Sequence, residues 1–279
     1  MCGTVVLWAT ISSTVIAQAP TEAVKSRPAT SQGEDRAGQV LDKGDAADSP
    51  SVAATKMRAV KGKTEIDQGW VKRHRQFVEK VKSGKVDLVF IGDSITQGWG
   101  DKKSRAGWPG SPLEVWRKYY GTRNAVNLGI GGDRTQHVLW RLENGEIDGI
   151  APKLAVVMIG TNNVGRNAWE DVAAGVEKIA ATLRAKLPNT KILLLGIFPR
   201  AKEKIDDARA KIAKINARIA KLDDGEHIIY RDIGAKFLDA DGNLPDELLY
   251  DHLHLTAKGY ELWAEAIEPD VAKLMAEKK

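Results

Sequence analysis

The stretch Phe90-Ile91-Gly92-Asp93-Ser94-Ile95-Thr96-Gln97 sets a serine at a turn that closes an apolar run. Gly92 lets the chain turn sharply, and Ser94 then projects from the end of a strand. If Ser94 opens a helix, its free backbone N–H groups face any negative charge that forms beside it. A hydroxyl placed in this way suits nucleophilic attack, although the same residues also describe an ordinary turn with a helix cap. A second motif, Asn127-Leu128-Gly129-Ile130-Gly131-Gly132-Asp133, follows the next apolar run. Its glycines permit close approach of backbone to ligand, and Asp133 can cap the helix beyond. A phosphate loop competes for this motif, but the Lys-Ser/Thr of the P-loop and the spacing of the dinucleotide-binding glycines are both missing.

Two further motifs complete a reacting set. Ile159-Gly160-Thr161-Asn162-Asn163 places asparagines at a third strand end; an Asn side chain there can donate to an oxyanion, or merely stabilise a turn. Tyr250-Asp251-His252-Leu253-His254-Leu255-Thr256 precedes the last helix. Asp251 and His254 are three residues apart, so one turn of chain brings carboxylate to imidazole. The carboxylate would hold the ring tautomer and stabilise the imidazolium, leaving the other ring nitrogen to serve a serine. Asp251, His252 and His254 could instead ligate a metal, but no further His or Cys cluster completes such a site. Either histidine could also be a packed core residue.

The elements that must position these motifs are legible as alternating patterns. Trp70, Val71, Phe77, Val78 and Val81 recur at helical spacing, and Gly84 ends that helix. Apolar runs at 86–91, 125–128, 154–159, 192–197 and 227–231 read as strands. Amphipathic segments lie between them, and a final helix covers about 256–275. Near-continuously apolar strands alternating with helices predict a parallel sheet covered on both faces, a three-layer α/β/α sandwich. Functional loops in such sheets lie at the carboxyl ends of the strands, which is where the polar motifs fall.

Residues 1–19 carry no charged side chain and end in Ala17-Gln18-Ala19, which reads as a signal peptide and predicts a secreted or periplasmic protein, although a basic residue before the apolar run is missing. Residues 20–60, poor in aromatic and large aliphatic side chains, read as a flexible linker. The folded domain is expected over 61–279. The only cysteine is Cys2, so disulfides cannot hold this domain. No apolar run reaches the roughly 18 residues needed to span a bilayer, so stable membrane insertion is not expected. The net charge of +5 is spread over helical segments without interleaved aromatics, which argues against nucleic acid as a partner. A homodimer stays open.

The order of the four motifs, and their places at strand ends, resemble the SGNH/GDSL hydrolase family over about residues 85–265. Within it the likeness runs to the catalytic subunits of platelet-activating factor acetylhydrolase Ib. It is carried by NLGIGGDRTQHVLWRLENGEID (127–148), PKLAVVMIGTNN (152–163), GIFPR (196–200), KINARI (214–219) and DHLHLT (251–256). The resemblance implies a five-stranded parallel flavodoxin-like sheet and a cofactor-free, metal-free esterase. It makes Ser94 the nucleophile, His254 the base and Asp251 its orienter, with oxyanion donors from Ser94 N–H, Gly132 N–H and the Asn162 side chain. The chain departs from the family in a longer segment from Trp99 to Tyr120 and in its leader and linker.

Ile95, Thr161 and Leu253 adjoin these residues and are expected to close the acyl side, favouring acetyl or another short group, unless they are core packing. Trp99 and Trp108, flanked by glycines, are candidates to stack on sugar rings, or else to pack a lid. The expected partner is a small-molecule or carbohydrate ester, with acetylated carbohydrate ahead of aryl or phospholipid-like esters. A non-catalytic binding protein on a hydrolase scaffold is the alternative of a different class.

Overall fold

From residue 57 onward the chain alternates short strands with helices. The computed structural model describes residues 1, 3, 49–60, 63–202 and 206–276, and every element below lies in one compact unit, Gln39–Lys279. A two-stranded antiparallel hairpin, β1 (Met57–Val60) and β2 (Lys63–Ile66), leads into helix α1 (Gln68–Ser83). Asp67 starts α1 by accepting from Gly69 and Trp70 N–H groups, a standard way to satisfy the orphan donors of a first turn. Then come β3 (Leu88–Gly92), α2 (Ser94–Gln97), α3 (Pro112–Tyr120), β4 (Ala125–Asn127) and α4 (Thr135–Glu143). The second half holds β5 (Leu154–Met158), α5 (Thr161–Val164), α6 (Trp169–Lys186), β6 (Lys191–Leu195), α7 (Asp207–Ile219), β7 (Ile228–Arg231) and α8 (Ala257–Ala276).

Strands β3 to β7 form one parallel sheet in the order β4-β3-β5-β6-β7, the flavodoxin-like arrangement that the resemblance implies. Side chains alternate across it. Val89, Ile91, Val126, Ala155, Val157, Ile192 and Leu194 pack against α1, α4, α6 and α7. Leu88, Phe90, Leu154, Val156, Met158, Leu193 and Leu195 pack against α3 and α8 on the other face. Every residue of β3 and β5 is buried, so a one-residue slip would exchange two filled cores and is strongly disfavoured. No described helix is long and apolar enough to cross a membrane.

Two consequences matter for the site. The chain leaves β3 toward β4 on one side and returns to β5 on the other, so the loops after β3 and β5 part at the carboxyl edge and open a crevice there. The second concerns the amino-terminal segment. The expected signal peptide, apart from residues 1 and 3, and the expected linker up to residue 48 lie outside the described residues. Residues 49–60, expected to end that linker, are instead held against the domain. Pro50 is buried, its carbonyl accepts from Thr135 Oγ1 at 2.8 Å, and Ala54 N donates to Gln136 O at 3.0 Å. Gly175 makes room for this contact, since a Cβ there would stand 2.5 Å from Pro50 O. Backbone hydrogen bonds, which composition does not report, anchor this segment.

Candidate active site

Ser94 is the first residue of α2, delivered by β3 and half-buried. Its Oγ lies 2.9 Å from His254 Nε2, and His254 Nδ1 lies 2.7 Å from Asp251 Oδ2. Asp251 Oδ1 also accepts the backbone N–H groups of His254 at 2.7 Å and Leu253 at 3.2 Å, so the DHLHLT loop folds around its own carboxylate. Partial burial works against that carboxylate, but the His254 ring and the backbone donors outweigh it and hold Asp251 below its usual range. An ionised Asp251 fixes the proton on Nδ1 and turns the Nε2 lone pair toward Ser94. Tyr250 stacks on the imidazole at 6.0 Å and limits its rotation.

Beside Ser94, Gly132 adopts φ +73° and is exposed. That left-handed backbone favours glycine and turns the chain so that the following Asp133 can plunge into the core. Asn162, at the start of α5, donates from Nδ2 to Asp133 O at 2.9 Å. This bond uses one amide hydrogen and orients the other, so the side chain keeps a second donor. The loops are fastened to each other. Gly131 N donates to Gln97 Oε1 at 2.8 Å, Asn127 Nδ2 donates to Thr96 O at 2.9 Å, and Thr135 N donates to Asn163 Oδ1 at 3.0 Å. Tyr260 of α8 donates to Ile95 O at 2.6 Å and joins α2 to the helix that follows His254.

A buried charged cluster lies under these loops. Arg141, fully buried on α4, donates from Nε to Asp133 Oδ2 at 2.9 Å and also pairs with buried Glu146. Its remaining donors reach Leu128 O at 3.0 Å and Gly92 O at 3.4 Å, the last residues before the glycine loop and the Asp93-Ser94 turn. Trp70 Nε1 donates to Asp133 Oδ1 at 2.8 Å. Burial pushes the Asp133 carboxyl up to about 6 against the pull of Arg141, and Glu146 up to about 7 against the same guanidinium. Removing Arg141 would leave uncompensated buried charge on both acids, so it is a fastener of both loops. Sequence reasoning missed it, although an arginine among Val138, Leu139 and Leu142 on one helix is a signal for a buried ion pair. It also missed Lys56, whose ammonium donates to Gly131 O; nothing in the local sequence marks that contact.

The residues expected to bind substrate divide. Ile95 and Thr161 are each 1% exposed and sit in the packed interior behind the loops. Leu253 and Trp108 are half-buried. Trp99 is 0% exposed and cannot stack on a sugar ring; this corrects the sequence expectation. The α2 turn carries it directly into the second core, where it meets Phe90, Trp116, Tyr120, Tyr260 and Trp263. His252 turns away from Asp251 toward Asp246, 2.7 Å from its Oδ1. No group of three or more His, Cys, Asp or Glu side chains among the described residues is arranged to hold a metal ion.

The chain matches the GDSL-like lipase/acylhydrolase family over residues 90–262, a span that contains Ser94, Gly132, Asn162, Asp251 and His254. It is 36% identical over 212 residues to platelet-activating factor acetylhydrolase IB subunit alpha2 of Rattus norvegicus, covering 76% of this chain and 87% of that protein. Its fold is shared by a GDSL-like lipase from Bacteroides thetaiotaomicron at TM-score 0.58 and 20% identity, covering 72% and 97% of the two chains. A mutant acetyl-xylooligosaccharide esterase from Geobacillus also shares it, at TM-score 0.51 and 20% identity over 70% and 96%. The chain belongs to the GDSL-like lipase/acylhydrolase family and is a carboxylic ester hydrolase.

Proposed function

We propose that the protein is a serine esterase that removes acetyl or another short acyl group, with acetylated carbohydrate as its substrate. The observation that carries this reading is the unbroken chain Ser94 Oγ–His254 Nε2 at 2.9 Å and His254 Nδ1–Asp251 Oδ2 at 2.7 Å, beside the open Gly132 backbone and the Asn162 amide. Ser94 Oγ attacks the ester carbonyl carbon while His254 takes its proton. The oxyanion is met by Ser94 N–H, Gly132 N–H and Asn162 Nδ2. Collapse breaks the bond to the alcohol, which leaves with the proton from His254. Water, deprotonated by His254, then attacks the acyl-Ser94 ester, releases the acid and restores the serine.

Short acyl chains are supported by the filled interior at Ile95 and Thr161, directly behind Ser94 and beside Asn162. The names of the rat acetylhydrolase and the Geobacillus esterase share an acetyl group and differ in the alcohol. Carbohydrate is supported by Trp108. It lies on the loop of Arg105, whose charge acts on Tyr250, the residue stacked on His254. The 36% identity to the rat enzyme favours a second reading, a platelet-activating-factor-like ester. The apolar leader supports export, which a mature protein starting at Pro20 in the secreted or periplasmic fraction would bear out.

Purified protein should hydrolyse p-nitrophenyl acetate faster than the octanoate, and acetylated xylo-oligosaccharides faster than platelet-activating factor. Ser94→Ala should abolish turnover and labelling by a fluorophosphonate, and Asn162→Ala should slow turnover by roughly 100- to 1000-fold. Full activity in folded Ser94→Ala refutes the mechanism. Faster octanoate turnover refutes the small acyl site.

A further inference from the structure

Lys56 precedes the core family match, residues 90–262, yet its side chain ends on the glycine loop. Its Nζ donates to Gly131 O and lies 2.9 Å from the point where a Cβ on Gly132 would stand. The Gly131 carbonyl and the Gly132 N–H are the two ends of one planar peptide group, and they point in opposite directions. A cation on the oxygen draws electron density toward that end, strengthens the C–N double bond and leaves the N–H more positive. Hydrogen bonds made to charged groups and linked in series reinforce one another.

We propose that Lys56 is a positioning residue of the esterase reaction: its ammonium orients and polarises the Gly131–Gly132 peptide so that the Gly132 N–H holds the oxyanion more strongly. The proposal rests on the reading of Gly132 N–H as an oxyanion donor. The surrounding bonds make the contact a built one. Lys56 O accepts Asp67 N at 2.8 Å, Asp67 Oδ1 caps α1, and Trp70 in the first turn of α1 donates to Asp133, two residues beyond Gly131. Ala54, two residues before Lys56, is bonded to Gln136 of α4. From the other side Gly131 N donates to Gln97 Oε1 at 2.8 Å, so Gly131 is held by both of its backbone polar groups. A segment amino-terminal to β1 and the helix α1 thereby brings a cation to the Gly131 carbonyl.

The test is Lys56→Met, which keeps the apolar stem and removes the charge. Strengthening a donor worth roughly 100- to 1000-fold in rate by about 10–30% gives about two- to eightfold, and direct attraction between ammonium and oxyanion brings the expected loss to about tenfold. The loss should fall on kcat for p-nitrophenyl acetate with KM within about twofold, because the oxyanion exists only beyond the ground state. Lys56→Cys alkylated with 2-bromoethylamine restores an ammonium at nearly the same reach and should recover kcat, whereas alkylation with iodoacetamide should not. Wild type, whose single cysteine is Cys2, is treated in parallel. A Lys56→Met enzyme with wild-type kcat overturns the proposal, as does a loss confined to KM or one that the restored ammonium leaves unchanged. Ser94→Ala measured alongside separates the two levels. Activity there refutes the mechanism and this proposal with it, while a Ser94-dependent enzyme indifferent to Lys56 refutes the role of Lys56 alone.

Discussion

Replacing Asp93 by Asn should remove part of the pH dependence of stability. Asp93 is wholly buried; one carboxyl oxygen accepts Ile95 N–H at 2.9 Å, and the other has no partner among the described residues. Burial first, and then the nearby Asp133 carboxyl, push its pKa from an ordinary 3.8 up to about 7, against the Ile95 N–H. Between those values the folded chain keeps a proton that the unfolded chain has released. Stability from this group is therefore fully present below about pH 4 and is lost as pH rises through about 7. Each unit of displacement is worth about 1.4 kcal/mol, so from pH 5 to pH 8 the wild type should lose about 3 kcal/mol more than Asp93→Asn. The variant keeps the acceptor for Ile95 and cannot ionise. Asp133 and Glu146 also hold their protons well above the usual range, but they are present in both proteins and largely cancel in the difference. Urea unfolding followed by tryptophan fluorescence at pH 5, 6, 7 and 8 measures it. Stability profiles that run parallel for the two proteins refute a neutral carboxyl behind Ser94.

Asp251→Asn should lower kcat by about 100-fold or more by releasing the imidazole tautomer, and fluorophosphonate labelling of Ser94 should slow in step; unchanged labelling would show that His254 needs no orienter. Gly132→Ala places a side chain at φ +73° and 2.9 Å from the Lys56 ammonium. A strain of about 1–2 kcal/mol together with displaced Lys56 should cost roughly tenfold or more in kcat, checked by steady-state kinetics at matched thermal stability. Trp99→Ala should destabilise the fold by about 3–5 kcal/mol in urea unfolding through the cavity it opens. Trp108→Ala should leave stability within about 1 kcal/mol and raise KM for acetylated xylo-oligosaccharides without raising it for p-nitrophenyl acetate; equal KM shifts on both would remove Trp108 from the alcohol side.

What the sequence discloses here follows the range over which each feature is encoded. The strands are short apolar runs filled on both faces, so β3, β5 and β6 are visible as Leu, Ile and Val without regard to their neighbours. Asp251 and His254 are legible for the same reason: three residues of separation let one turn of chain make the bond. Sheet order is not local, and it came from resemblance to a family whose motifs occur in this sequence. The fate of Trp99 was hidden because glycines beside a tryptophan describe a loop equally well whether the ring faces water or core. Only the direction of the α2 turn, fixed by Tyr260 bonding Ile95 O from 165 residues away, decides that it faces inward.

The contacts that turn four separate loops into one site are the least legible of all. Gln97 reaches Gly131 across 34 residues, Arg141 reaches Gly92 across 49, and Lys56 reaches Gly131 across 75. Each is a single polar side chain meeting a backbone atom, a pairing that leaves no periodicity and no composition bias. Residues 50–54 illustrate the cost of relying on composition: the Pro50 carbonyl and the Ala54 N–H find partners on α4. Backbone groups are obligatory hydrogen-bonding groups whatever the side chain. A small-residue segment can therefore be as firmly placed as a strand when a neighbouring helix offers Thr135 and Gln136 at the right height. The glycine loop is thus fastened from positions as distant as Lys56, Gln97 and Arg141, while the residues that would react under the proposed mechanism are written almost entirely in four motifs.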